Sequence, residues 1–481
     1  MDPKTQIILD YFEQINQIPR CSKDEQQLAV WLATWAKNKG FDTKSDSSGN
    51  MVINVPASKG FDSAPTVILQ GHMDMVCEKR PDTKHNFKTD PIRHIISGDW
   101  LHADGTSLGA DNGIALALAM ALVTDASVRH PKLELLFTVD EETGLSGANK
   151  LDDKMIAGRI FINIDSEEEG VFTVGCAGGI DTNIELSINQ IPFEEYDTIV
   201  RISVSGLCGG HSGVDINKGR ANANKLLSLI LSKALEQIKL RLISFVGGST
   251  HNAIARDAEA FVTVKPDQLS SFKQIVTNLE KKIGAEYAFV ENELKIEVAV
   301  ITDNSTQMNS ADDVQTIKIV DLLMALPHGV SRMSMEVPGL VDTSSNLATV
   351  SFSNKSLHIL SSQRSIFTSR MEEISQQVAS VARLAGASVK TDSAYPAWQP
   401  NMDSDLLKRC KETYKALFKS QPGVEIIHAG LECAVIGDKY PDMDMISIGP
   451  TMKNPHSPDE RLYIPSIPKL WQFLVTLLAS F

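Results

Sequence analysis

The chain contains no Cys-x-x-Cys pair, no apolar run long enough to cross a bilayer, and no excess of positive charge. Each absence removes a class of function. The six cysteines, Cys21, Cys77, Cys176, Cys208, Cys410 and Cys433, are scattered without a dense framework. Structural disulfides are therefore not expected, and a reducing, cytoplasmic setting is. The most apolar helical stretch, Ile114 to Val123, is about half a membrane span and reads as a core helix. The N-terminus, Met1-Asp-Pro-Lys-Thr, lacks a basic segment followed by a long apolar core, so no signal peptide is expected. A formal net charge of −14 disfavours nucleic acid or an anionic membrane surface as a partner. The chain has no G-x-S-x-G elbow to present a serine nucleophile and no G-x-x-x-x-G-K-[ST] loop. Nor does a G-x-G-x-x-G follow a strand.

What is present is an ordinary globular composition, 42% hydrophobic and 22% charged, on a chain of 481 residues. That length is too great for one core, so two or three domains are expected. The stretch Thr66-Val-Ile-Leu-Gln-Gly-His-Met-Asp-Met-Val76 organises the rest. Val67 to Leu69 reads as a buried parallel strand ending at Gly71. His72 and Asp74 follow two residues apart, so in extended chain they project to one side. Ligands of open α/β sheets bind beyond the carboxyl ends of strands. Two further strands end the same way. Leu133 to Val139 is followed by Asp-Glu141-Glu142-Thr-Gly, and Ile160 to Ile164 by Asp165. Asp111 precedes the apolar helix, where a carboxylate suits the helix dipole and is also a good cap.

From about Ile180 the pattern changes to strand, helix, two strands, helix and strand, the ferredoxin-like order. A second helix, two strands, helix and strand run from Asp312 to Thr391. Residues 83–100 read as an irregular surface excursion. From Trp398 the chain returns to its earlier style, with His428-Ala-Gly-Leu-Glu-Cys433 and Asn454-Pro-His456-Ser. The expected plan is one α/β domain built from residues 1–180 and 393–481, with an inserted α+β domain over 181–392 made of duplicated ferredoxin-like units.

His72, Asp111, Glu141, Glu142, Asp165 and His456 all fall at strand ends, helix starts or loops. Divalent metals favour such carboxylate and neutral imidazole donors, and one shared carboxylate can hold two ions about 3.5–4 Å apart. Adjacent Glu141 and Glu142 point different ways from an extended segment. One can bind metal while the other moves a proton.

The motifs Gly-His72-Met-Asp74, Gly-Ala-Asp111-Asn-Gly, Asp-Glu141-Glu142-Thr-Gly, Asn-Ile-Asp165 and Pro-His456-Ser resemble those of the co-catalytic zinc exopeptidases. That family includes aminoacylases, carnosinases, tripeptidase T and bacterial glutamate carboxypeptidase. Gly-Gly-His211-Ser-Gly, Thr-His-Asn252-Ala-Ile-Ala-Arg and the His428 motif are most similar to its aminoacyl-histidine dipeptidase branch (peptidase D). The resemblance implies a zinc-exopeptidase (phosphorylase/hydrolase-like) α/β catalytic domain with a lid that also forms a homodimer. It implies two divalent ions, Zn²⁺ with Co²⁺ or Mn²⁺ as alternatives. Asp111 bridges them, His72 and Asp165 complete one site, and Glu142 and His456 the other. Glu141 becomes the general base, and Asp74 orients His72.

Further along, the resemblance gives His211 as an oxyanion donor, in the partner subunit's site, and Asn252 as a substrate contact. Arg364 binds the substrate carboxylate, with Arg332 as the competing candidate. Asp at position 165 resembles the amino- and dipeptidase branch and argues for a free substrate amine. The expected activity is hydrolysis of unblocked dipeptides, preferentially Xaa-His including β-alanyl-histidine. The alternatives are an N-acyl amino acid deacylase or carboxypeptidase of the same family, and a catalytically silent peptide-binding relative.

Overall fold

The structure, a computed structural model, describes residues 2–192, 198–301, 309–335, 337–353 and 355–481. The chain divides into two compact units. One comprises Met1–Cys176, Trp398–Ile426 and Leu431–Phe481, and the other Ala177–Ala397 with Ile427–Gly430.

The first unit is built on an eight-stranded sheet. Its order is Asp42–Ser45, Met51–Val55, Leu133–Thr138, Val67–His72, Ile160–Asn163, Asp444–Ser447, Val171–Cys176 and Gly423–Ile427. The four strands from Leu133–Thr138 to Asp444–Ser447 run parallel. Val67–His72 and Leu133–Thr138 are buried at every position, as parallel strands covered on both faces must be. The helix Ala110–Thr124 packs on the sheet and is buried on all sides from Ile114 to Leu122, so the apolar run is core. Gly71 lets that helix approach: a Cβ there would lie 2.3 Å from Asn112 Oδ1 and 2.9 Å from Ala115 Cβ. Ile8 and Phe12 of the helix Pro3–Asn16 share one apolar cluster with Leu470, Phe473 and Leu474 of the helix Ser466–Leu478. Each such side chain contributes roughly 1.5–3 kcal/mol by leaving water. The two ends of the chain thus complete one core.

The second unit carries a sheet ordered Lys295–Ile301, Thr198–Ser205, Ala258–Val264, Leu240–Gly247, Val341–Ser353, Ser356–Ser365, Gly178–Ser187 and Ser388–Tyr395. The strand Gly329–Met333 also pairs with Val341–Ser353. Thr198–Ser205, the helix Ala223–Leu235, Leu240–Gly247, Ala258–Val264, the helix Leu269–Glu286 and Lys295–Ile301 form one βαββαβ unit. The sheet places its strands in the order fourth, first, third, second. The helix Asp313–Ala325, the strands Val341–Ser353 and Ser356–Ser365, the helix Thr368–Leu384 and Ser388–Tyr395 repeat the pattern. Their missing first strand is Gly178–Ser187, which pairs with Ser356–Ser365 along its whole length. It lies ahead of the entire first repeat in sequence, so one repeat is inserted within the other.

Two expectations need correction. Cys21 and Cys77 form a disulfide, their Cα atoms 5.7 Å apart. Spacing hid the pair, because 56 residues separate the two in sequence. They meet because Cys21 bridges to Met75 through the backbone, while Arg20 donates to the carbonyls of Met73 and Asp74. Cysteine usage therefore does not fix a reducing setting. Residues 83–100 are also less irregular than expected. His94–Ser97 pairs with Trp100–Ala103, which pairs in turn with Arg461–Tyr463. Trp100 stacks against Tyr463 at 5.0 Å and under Arg461 at 4.5 Å. A partner so distant in sequence leaves no local signature.

Candidate metal centre

The parallel strands deliver their side chains to one place in the first unit. His72 ends its strand, 1% exposed. Its Nε2 lies 3.0 Å from Asp111 Oδ1 and 3.5 Å from Asp165 Oδ1. The other oxygen of Asp111, Oδ2, lies 3.2 Å from His456 Nε2, which is also 2.9 Å from Glu142 Oε2. The two oxygens of one carboxylate thus face two different imidazoles. The donor atoms of His72, Asp111 and Asp165 lie within 4.8 Å of one another, as do those of Asp111, Glu142 and His456. Glu141 comes equally close to His72 and Glu142.

Asp74, fully buried, sits behind this cluster. Its Oδ1 is 3.2 Å from His72 Nδ1 and accepts from the Glu141 N–H at 3.0 Å. Oδ2 accepts from the Glu142 N–H at 3.2 Å and from Ser22 Oγ at 2.8 Å. One carboxylate therefore fixes the imidazole's outer nitrogen and the turn that carries both glutamates.

Three residues that the sequence reading passed over hold the remaining parts. Asn112 accepts from the His72 N–H and donates to the Ile164 carbonyl and Asp165 Oδ1, both at 2.6 Å. Asn112 stood inside the quoted Gly-Ala-Asp111-Asn-Gly motif without being given a role, and that placement was the available signal. Glu460 accepts from the backbone N–H groups of Leu108, Gly109, Ala110 and Asp111. These are the donors that a helix start leaves unpaired. Asp111 makes no side-chain cap, contrary to expectation, because Glu460 occupies that role and frees Asp111 for the cluster. Arg20, 1% exposed, binds the carbonyls of Met73, Asp74 and Gly109, tying the His72 and Asp111 segments together. Burial draws its pKa down to about 10 against the pull of Glu460, Asp74 and Asp111.

The electrostatics test whether these residues suit divalent ions. Five carboxylates, Asp74, Asp111, Glu141, Glu142 and Asp165, surround two imidazoles. Burial raises Glu141 well above the carboxylate range. Burial and the charge of Asp111 raise Glu142 to about 7. Asp165 is also raised, chiefly by burial. Burial opposes charge on His456, but Asp111 and Glu142 push it up to about 12, and His72 rises well above its ordinary value against the same opposition. Left to itself, the cluster gains positive charge only by holding protons. Glu142 Oε1 is buried without a hydrogen-bond partner. A surplus of carboxylates, neutral-capable imidazoles and an unpartnered oxygen is a donor set that fits two divalent ions.

A pH dependence follows from these directions. Metal binding requires neutral imidazole, so protons held by His72 and His456 must leave. Apparent affinity should rise with pH, and chelator competition at about pH 6 and about pH 8 should show tighter binding at the higher value. Equal affinity at both would remove the histidines from the donor set.

The remaining candidates lie in the second unit. His211 Nδ1 accepts from the backbone N–H groups of Gly213 and Val214 at 3.3 and 3.1 Å, which places the ring proton on Nε2. Asn252 accepts from the Ser212 N–H through its backbone carbonyl at 2.8 Å, so it is anchored beside His211. Arg364 is 6% exposed and donates to Tyr395 Oη at 2.6 Å. Its Nε is buried without a partner. Arg332 is 3.9 Å from Asp342 and much more exposed. His428, quoted in a motif but given no role, is 2.7 Å from Ser344 Oγ through Nε2, and its Nδ1 is buried without a partner. Burial, then the charges of Arg364 and His211, lower its pKa to about 3. Arg364, His211 and His428 are thus electrostatic neighbours.

The sequence pattern of Peptidase family M20/M25/M40 matches residues 68–480, a span that contains every residue of the cluster. The chain is 41% identical over 478 residues to the cytosol non-specific dipeptidase of Escherichia coli (strain K12), covering 98% of this chain and 97% of that protein. The crystal structure of aminoacylhistidine dipeptidase from Vibrio alginolyticus superposes with a TM-score of 0.83 at 36% identity, covering 100% of this chain and 97% of that one. A Staphylococcus aureus tripeptidase shares the fold at a TM-score of 0.58 and 16% identity, covering 98% and 97% of the respective chains. On the match over most of its length, the chain belongs to peptidase family M20/M25/M40.

Proposed function

We propose that the chain is a cytoplasmic dipeptidase using two divalent ions, Zn²⁺ first among them, to hydrolyse dipeptides with a free N-terminus. Xaa-His dipeptides, including β-alanyl-histidine, are its preferred substrates. The observation that carries this reading is the Asp111 carboxylate, whose oxygens face His72 on one side and His456 on the other. The names of the Escherichia coli and Vibrio alginolyticus relatives support a dipeptide substrate, the second supporting histidine at the C-terminal position. A homodimer through the second unit belongs to the same reading and rests on the family resemblance. Among the described residues, no helix is long and apolar enough to cross a membrane.

His72, Asp111 and Asp165 would hold one ion, and Asp111, Glu142 and His456 the other. When bound, such ions polarise the scissile carbonyl and lower the pKa of water to about 7. The chain's own residues do the rest. Asp74 holds the Nδ1 side of His72 and so orients its Nε2. The same carboxylate fixes the backbone of Glu141. Glu141, raised by burial, then takes the proton of the attacking water and passes it to the leaving amine. By the family resemblance, the Nε2–H of His211 would donate to the oxyanion that develops on the carbonyl in the partner subunit's site, and Asn252 would help hold the substrate. Arg364 receives the substrate's carboxylate. The unpartnered Nε of Arg364 and Nδ1 of His428 support an anion there, and the Asp342 pairing of Arg332 counts against the alternative.

Chelation followed by addition of Zn²⁺, Co²⁺ or Mn²⁺ tests the reading with a panel of Xaa-His, β-alanyl-histidine, other dipeptides and N-acetylated analogues. Restored cleavage of free dipeptides is expected. Faster turnover of blocked substrates would make the protein a deacylase or carboxypeptidase, and no turnover with any metal would make it a silent relative. The Arg364→Ala variant should lose about 1.5–3 kcal/mol of binding, or roughly 10–100-fold in kcat/KM, for free-carboxylate dipeptides. Amidated dipeptides should change little. Equal losses for both would remove Arg364 from carboxylate recognition.

A further inference from the structure

Directly beneath the candidate ligands, the central sheet carries a run of polar side chains where parallel strands ordinarily place apolar ones. Glu432, the first residue of the helix Glu432–Lys439, is 0% exposed. Its Oε2 accepts from Gln70 Nε2 at 2.5 Å and from Thr138 Oγ1 at 2.6 Å. Gln70 Oε1 accepts in turn from Asn163 Nδ2 at 2.6 Å, and Asn163 Oδ1 accepts from Ser447 Oγ. Gln70, Thr138, Asn163 and Ser447 are each at most 1% exposed. The chain of bonds crosses four neighbouring parallel strands, Leu133–Thr138, Val67–His72, Ile160–Asn163 and Asp444–Ser447.

The position of each member relates it to a ligand. Gln70 is two residues before His72, and Asn163 two before Asp165, so each pair shares one side of extended backbone. Thr138 closes the strand that leads to Glu141 and Glu142. An error in the lateral spacing of these strand ends becomes an error in donor-atom distance, and catalytic geometry tolerates only about 0.5 Å. A buried carboxyl costs free energy unless hydrogen-bonded, and here the two bonds it accepts come from two of the strands that must be aligned.

We propose that Glu432 is a positioning residue, clamping the ends of the His72 and Glu141 strands and, through Gln70, the Asp165 strand. This rests on the metal-centre reading given above. The clamp is a matter of hydrogen bonding and shape. Burial raises Glu432 to about 7, so a neutral side chain of the same outline is an adequate replacement.

The test compares Glu432→Ala, Glu432→Gln and Thr138→Val in the full chain loaded with Zn²⁺. Zn²⁺ affinity is measured by chelator competition, and kcat and KM with a Xaa-His dipeptide. Glu432→Ala should weaken Zn²⁺ binding and lower kcat by about 10–100-fold each, with KM within about threefold. Glu432→Gln, whose amide oxygen accepts the same two donors, should restore both to within about threefold. Parental kcat and affinity in Glu432→Ala would overturn the proposal, as would equal impairment of the Ala and Gln variants. Should Glu432→Ala fail to fold, Thr138→Val decides, since it removes one donor and keeps the shape. A fall in kcat of about threefold or more at unchanged KM supports the clamp, and parental kcat overturns it. A parent protein that binds no divalent ion sinks the metal-centre reading and this role with it, whereas a fully active parent with an indifferent Glu432 sinks this role alone.

Discussion

Replacing Glu141 by Gln lowers kcat by about 10²–10⁴-fold while the metal content of the chain stays at two ions. The size of the effect is that of a positioned general base, because the amide keeps the outline of the side chain but cannot accept the proton. Metal retention is expected because Glu141 is outside both donor sets that share Asp111. Its backbone is fixed independently by Asp74, so the turn stays in place and KM changes little. Steady-state kinetics and metal analysis on the same preparation check both halves. Loss of one ion in Glu141→Gln would make this residue a ligand, a possibility its closeness to His72 and Glu142 leaves testable. An unchanged kcat would remove it from proton transfer.

The second large effect is at Asp111. Its carboxylate is the single group common to both candidate sites, and the oxygens facing His72 and His456 are different atoms. Asp111→Asn keeps shape but has one acceptor oxygen and no charge. Metal content should fall from two ions to at most one, and kcat by about 10³–10⁴-fold, the value of several kcal/mol of transition-state stabilisation. Folding should survive, since Glu460 holds the Asp111 backbone and its neighbours without using the Asp111 side chain. Two ions retained with near-parental kcat would contradict the bridging role. The two variants separate cleanly: Glu141→Gln keeps metal and loses turnover, whereas Asp111→Asn loses both.

The gathering of His72, Asp111, Glu141, Glu142 and Asp165 in one place was legible because each sits beside a strong local pattern, whereas His456, in a loop, was found only through the resemblance of its Pro-His-Ser motif. His72 and Asp165 follow short apolar strands, Glu141 and Glu142 follow a third, and Asp111 opens an apolar helix. The second unit was legible as strand and helix order for the same reason, except for Gly178–Ser187, whose partner Ser356–Ser365 lies far along the chain, and Gly329–Met333, a further strand on Val341–Ser353. The supporting residues were not legible. Glu460 acts on backbone amides 349 to 352 residues earlier in the chain. Glu432 meets Gln70 and Thr138 across similar distances in sequence. Such contacts depend on tertiary placement and leave neither periodicity nor spacing behind. The Cys21–Cys77 pair was missed for the same reason, and so was the Trp100–Tyr463 contact.

Anomalous X-ray scattering at the zinc edge, from crystals of the Zn²⁺-loaded protein, tests the central claim most directly. Two peaks are expected on either side of Asp111, about 3.5–4 Å apart. One should lie against His72 and Asp165 and the other against Glu142 and His456. A single peak away from Asp111, or none at full zinc loading, would contradict it.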